Sequence, residues 1–178
     1  SPSIVARLPE EDPPFEPLSE ATQTELRSAE EEGSAIKTLT NGQKYHTALI
    51  SPESRNVLLI GKDPTYSNFD ILLIVSVDET NKSVRVVDLP RDIYIDYAPP
   101  ILGQLEKNAL EFYQEKGSRK LNAAPVVGRK LQYSPETERF AGKKDINFLS
   151  DLIHEIFEIS IDDYMSVETD GFREMVDY

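Results

Sequence analysis

The stretch Ile71-Leu72-Leu73-Ile74-Val75-Ser76-Val77 decides the fold, together with Val57-Leu58-Leu59-Ile60 before it and Val84-Arg85-Val86-Val87 after it. Each run is strand-length, and the near-continuous apolarity of Ile71 to Val77 and of Val57 to Ile60 predicts strands covered on both faces. Gly61 breaks the first run. The polar, turn-rich residues from Asp78 to Ser83 predict a hairpin that feeds the third strand, and Pro90, which has no N–H for a ladder, ends it.

Helical spacing appears further along the chain. Leu102, Leu105, Ala109 and Phe112 predict a helix over 102–116 with Gly117 available to end it. A clearer amphipathic helix carries Ile146, Leu149, Leu152, Ile153 and Ile156 on one face, with Asp145 as its N-cap and its end near Phe157. Ile159 to Val167 predicts another strand. Phe172, Met175 and Val176 then open a last helix that is too short to stand alone and is expected to continue past Tyr178 in a longer parent. Strands followed by helices, without an internal repeat, indicate a layered α/β domain.

The N-terminal part is of another kind. Acids from Glu10 to Glu32 face only Arg7 and Arg27, and Pro2, Pro9, Pro13, Pro14 and Pro17 precede Leu18. Such a segment has too little apolar surface to offset its ordering entropy. Residues 1–40 are therefore read as an acidic, proline-rich stalk or linker, partly disordered, and residues 41–178 as the folded domain. Thr22 to Glu25 has capping-box spacing, so the stalk is expected to contain one short helix.

Composition excludes several functions. With 19 basic against 32 acidic residues the net charge is −13, which argues against a broad nucleic-acid footprint and leaves nucleic acid out of the expected partners. The absence of cysteine rules out disulfides, thiolate metal sites and a cysteine nucleophile. The two histidines, His46 and His154, lack a second histidine at metal-ligand spacing and are read as structural. No apolar run approaches the roughly 18 residues needed to cross a bilayer. The opening Ser1-Pro2-Ser3 lacks an initiator methionine, as expected of a piece of a longer precursor.

Three places can carry chemistry. The loop from Gly61 to Asp70 joins two strand ends, where α/β folds place ligands, and Asp63 and Asp70 can converge there on a hard cation such as Mg²⁺. The ordinary reading is a surface turn rich in aspartate. In Leu89-Pro90-Arg91-Asp92, Arg91 can fork onto phosphate oxygens, or can simply pair with Asp92 or another surface acid. Arg119-Lys120-Leu121-Asn122 can receive an anion, or can be a solvated helix start. No Walker loop, nucleophile elbow or dinucleotide fingerprint is present.

Taken in order, Asn56-Val57-Leu58-Leu59-Ile60-Gly61-Lys62-Asp63, Asp70 to Asp78, Leu89-Pro90-Arg91-Asp92, Lys120-Leu121-Asn122-Ala123-Ala124, and Ile161-Asp162-Asp163-Tyr164 leading to Gly171-Phe172 resemble the LytR-CpsA-Psr family over about residues 55–178. The resemblance implies a layered α/β/α domain with a central mixed sheet and an apolar pocket for a polyprenyl chain. It also implies an extracytoplasmic setting in the cell envelope and an upstream membrane anchor outside this chain. The implied activity is a Mg²⁺-dependent phosphotransferase that moves a glycopolymer, teichoic acid or capsular polysaccharide, from a polyprenyl-pyrophosphate carrier to peptidoglycan. Asp63 and Asp70 then match the magnesium-associated aspartates and Arg91 the arginine on the pyrophosphate. Lys62, Asn68, Arg119, Lys120 and Asn122 are assigned to substrate binding.

Where the family carries arginine before its second aspartate, this chain has Asn68, and Lys62 or Arg119 are the candidates to supply that charge. The family's distal arginines would fall beyond Tyr178. A catalytically impaired binder of polyprenyl phosphate or envelope glycan therefore stands beside the transferase, as does a structural adaptor domain.

Overall fold

The structure, a computed structural model, describes residues 4–5, 38–62 and 68–168. Asp63, the capping box at Thr22, most of the stalk and the closing helix after Gly171 lie outside the described residues.

Five strands form one sheet: β1 (Ile4–Val5), β2 (Arg55–Lys62), β3 (Phe69–Asp78), β4 (Ser83–Asp88) and β5 (Asp163–Glu168), in the order β1-β4-β3-β2-β5. The sheet is mixed. β2, β3 and β4 run antiparallel to their neighbours in that group, whereas β5 joins β2 and β1 joins β4 in parallel. The layered architecture around a central mixed sheet is the one the resemblance implies. Ile4–Val5, placed in the stalk on composition, instead extends the sheet beside Val87 and Asp88. Two adjacent β-branched residues are the local signal for it.

The apolar runs become strands as read, each extended by a residue or two at both ends. β5 starts at Asp163 rather than Ile159, because Ile159 and Ile161 turn into the core before the ladder begins. On one face of the sheet Leu58, Ile60, Leu72, Ile74 and Val87 are buried in a single cluster with the helices. On the other face Leu59, Leu73 and Val75 are half-buried, and Val84, Val86 and Met165 are exposed, so cover on both faces is only partial.

The helices are α1 (Pro99–Asn108), α2 (Leu110–Gln114), α3 (Ala124–Lys130) and α4 (Lys144–Phe157), with a 3-10 turn over Leu121–Ala123. The expected helix over 102–116 is thus two helices. It begins earlier, with Pro99 in its first turn, where a missing N–H costs nothing. It breaks at Ala109, whose φ of −148° and ψ of 52° lie outside the helical region. α4 matches its apolar pattern, but its N-cap is Lys143; Asp145 lies inside the first turn and pairs with Arg129 at 3.2 Å. α3 escaped the sequence reading because Pro125, Val126, Val127 and Gly128 are poor helix formers.

Gly128 explains why tertiary packing overrides that propensity. A Cβ there would lie 2.6 Å from Phe148 Cβ and 2.7 Å from the Lys144 carbonyl, so only glycine allows α3 to close on α4. Phe148, fully buried, meets Tyr97 and Tyr133 in ring contacts at 6.1 and 5.1 Å. Tyr97 and Phe148 belong to the buried core, and the half-buried Tyr133 packs against it.

Candidate functional site

The site lies where β3 begins and β4 has ended. β3 and β4 form a hairpin whose register pairs Ile74 with Val87 and Leu73 with Asp88. The Leu89 N–H continues the ladder to the Leu72 carbonyl at 2.9 Å. Beyond that bond the chain turns, with the Ile93 N–H donating to the Pro90 carbonyl at 3.2 Å, and the Arg91 and Asp70 side chains meet at 3.3 Å between Nη1 and Oδ1. Against β2, Gly61 pairs with Ile71 and Lys62 with Phe69, so Asp70 is the residue passed over where the register shifts. Such a bulge redirects a side chain at a sheet end. Here it lets Phe69 sink into the core while the Asp70 carboxylate remains half-buried at the mouth.

A second backbone pairing supplies the other cation. Residues 91–95 run antiparallel to 119–122: the Leu121 N–H donates to the Ile93 carbonyl, the Ile95 N–H to the Arg119 carbonyl, and the Asn122 N–H to the Arg91 carbonyl, at 2.8, 2.8 and 3.0 Å. Lys120 is thereby carried next to Asp92, and Nζ donates to Asp92 Oδ1 at 2.9 Å. Asp92 Oδ2 also lies 3.7 Å from Arg91 Nε. The result is a chain of alternating charge, Asp70, Arg91, Asp92, Lys120. The hydrogen bond from Lys120, and then the charges of Lys120 and Arg91, hold the Asp92 carboxyl below the usual carboxylate range.

The remaining candidates fall in different places. Arg119 points away from Arg91, donating to the Tyr94 hydroxyl at 3.1 Å and lying 5.9 Å from the Tyr113 ring centroid. The alternative reading of this stretch as a helix start also holds, since Lys120 is the N-cap of the 3-10 turn that leads into α3. Asn122 lies behind Arg91, with a buried Oδ1 that meets no hydrogen-bond donor among the described residues. Lys62 Nζ sits 5.4 Å from the Phe69 ring centroid. His46 and His154 are exposed and belong to no metal-ligand group.

Asn68 lines an open cleft of about 590 Å³ beside the mouth. Ala109, Leu110, Phe112 and Val126 contribute its apolar surface, and Asn108, Glu111, Glu115 and Lys130 its polar surface. The break at Ala109 creates one wall by turning α2 away from α1. Sequence reading missed this cleft because its walls come from α2 and α3, neither of which was distinguished. Among the described residues no group of three or more His, Cys, Asp or Glu can hold a metal ion.

The sheet, its bulged strand end and the cluster of paired charges at its mouth define a layered α/β domain. The LytR_cpsA_psr family model matches residues 20–178, and the chain belongs to the LytR-CpsA-Psr family. No curated protein sequence matches it. Among solved structures it is similar to Bacillus subtilis TagT, at 16% identity and a TM-score of 0.43, over 78% of this chain and 43% of that one. It is similarly related to the LytR-CPS2A-psr family protein YwtF (TagT) with bound octaprenyl pyrophosphate lipid, at 16% identity and a TM-score of 0.44, over 81% and 46%. The chain spans less than half the length of these structures.

Proposed function

We propose that this domain binds the diphosphate of a polyprenyl-linked glycopolymer at Asp70, Arg91 and Lys120 and transfers the polymer to peptidoglycan at the outer face of the cell membrane. The observation that carries this reading is the convergence of Arg91 and Lys120, far apart in sequence, on Asp92, with Arg91 also meeting Asp70. Membership of the family supports it, as does the octaprenyl pyrophosphate seen with the family protein YwtF.

In the proposed reaction an acceptor hydroxyl oxygen attacks the phosphorus that carries the glycan. The bond from that phosphorus to the bridging oxygen breaks, polyprenyl phosphate leaves with the bridging oxygen, and the hydroxyl proton passes to solvent. Arg91 can fork onto the phosphate oxygens and stabilise the charge that develops on them. Lys120 adds a point charge on a backbone fixed by the 91–95 pairing. The cleft beside Asn68 offers its apolar surface to the first prenyl units.

Mg²⁺ fits the donor chemistry, since it takes one or two carboxylates and completes its shell with phosphate oxygens and water. Asp70, with Asp63 beyond the described residues, would hold it, and when bound it would neutralise charge on the diphosphate.

Asn68 favours a second reading, binding without turnover, because an amide replaces the family's arginine at that position. One assay separates the two: purified protein is incubated with a prenyl-pyrophosphate-linked saccharide, a peptidoglycan acceptor and Mg²⁺, and polyprenyl phosphate release is followed. Release above the Arg91→Ala level supports the transferase. Saturable binding without release supports the binder, and no binding at all refutes both.

A further inference from the structure

We infer that Asp92 is a resident counter-anion, whose carboxylate occupies, between Arg91 and Lys120, the place that a phosphate of the ligand takes on binding. This rests on the functional reading above and adds to it a residue that sets headgroup affinity.

The charges lead to this. Asp70 and Asp92 cancel Arg91 and Lys120, so this cluster is formally neutral in a chain of net charge −13. Long-range attraction for an anion is therefore weak, and binding must come from exchange at short range. The geometry suits exchange. One Asp92 oxygen makes a charge-assisted hydrogen bond to Lys120 at 2.9 Å, and the other stands 3.7 Å from Arg91 Nε, an ion pair without a hydrogen bond. A phosphate presents the same oxygens with more charge.

Mobility is distributed accordingly. The Asp92 side chain is 61% exposed and returns to water by rotation about its own bonds, whereas Lys120 is 29% exposed and fixed through its backbone to the 91–95 segment. The carboxylate can leave while both cations remain. An exposed pair of this kind contributes little to folding, so its removal leaves the scaffold intact. When transfer leaves polyprenyl phosphate, which has lost one phosphate, Asp92 is positioned to re-pair with the cations and favour release.

A simple positioning role for Asp92 predicts weaker anion binding when its charge is removed; a counter-anion predicts tighter binding. Isothermal titration of the full chain with inorganic pyrophosphate and with geranyl pyrophosphate, each with EDTA and with Mg²⁺, decides between them. Asp92→Asn should bind both ligands about three- to tenfold more tightly than the unaltered protein, the effect of one screened unit charge near the headgroup. The gain should vanish in the Asp92→Asn/Lys120→Met double variant. Thermal melts of each variant report folding independently.

Equal or weaker binding by Asp92→Asn, while the unaltered protein binds, overturns the inference and leaves the functional reading standing. A gain for geranyl pyrophosphate alone also overturns it, by placing the effect on the prenyl cleft. If neither ligand binds the unaltered protein or the variant under either condition, the functional reading fails and takes the inference with it.

Discussion

Arg91 meets Asp70 at 3.3 Å between Nη1 and Oδ1, from a turn that follows the end of β4. The Arg91 side chain is largely exposed, and an exposed pair of this kind contributes little to folding. Arg91→Ala should therefore leave the fold intact while lowering polyprenyl phosphate release by about 10³- to 10⁵-fold, the range for a guanidinium acting on phosphoryl transfer. Arg91→Lys should restore only a small part, since an ammonium cannot reproduce the fork. Initial rates of release measure both.

Gly128 is the contact point between α3 and α4. Gly128→Ala would drive a methyl group against Phe148 Cβ and the Lys144 carbonyl, and the latter belongs to a helix backbone that cannot swing aside. The expected cost is about 1–3 kcal/mol, from overpacking a tight contact. Chemical denaturation should show a lower midpoint with an unchanged slope.

Tyr97 is buried, and its hydroxyl has no hydrogen-bond partner among the described residues. Burial raises its pKa well above the usual phenol value. The folded state therefore keeps the proton after the unfolded chain has lost it, so stability is full below the unfolded pKa of about 10 and declines as pH rises through it. Tyr97→Phe removes an unsatisfied polar group; the melting temperature should be unchanged or higher at neutral pH and should fall less between pH 9 and about 11. Melts across that range test the difference.

Glu155 on α4 accepts the backbone N–H groups of Leu39 and Thr40, each at 2.8 Å. This carboxylate attaches the segment entering the domain to the helical layer. Glu155→Ala should cost about 1–3 kcal/mol by leaving these two N–H donors and the Thr40 hydroxyl without their acceptor. Hydrogen exchange should show the loss of protection centred on residues 38–41, while the Asp70–Arg91 region remains protected.

Some of the site was legible early and some was not. Asp70 and Arg91 flank a hairpin whose turn is visible in Asp78 to Ser83, so counting back along the two strands would have paired them. The bulge that redirects Asp70 has no such mark, because it depends on how Gly61 meets Ile71: a Cβ at 61 would lie 2.9 Å from Ile71 Cβ. The different directions of Arg119 and Lys120 were hidden as well. Arg119 reaches the Tyr94 hydroxyl and Lys120 reaches Asp92 only through a pairing of 91–95 with 119–122 that two short, weakly apolar segments do not announce. Asp92 looked like a neighbour of Arg91 alone, and its bond to Lys120 exists only across that pairing.

By itself the sequence determined the strands, the hairpin and the amphipathic face of α4, because apolar periodicity and turn chemistry act within a few residues and need no knowledge of distant partners. Tertiary structure decided the rest. It split one expected helix at Ala109, formed α3 from residues with little helical preference, and joined Arg91 to Lys120, since each of these depends on contacts between segments that only folding brings together.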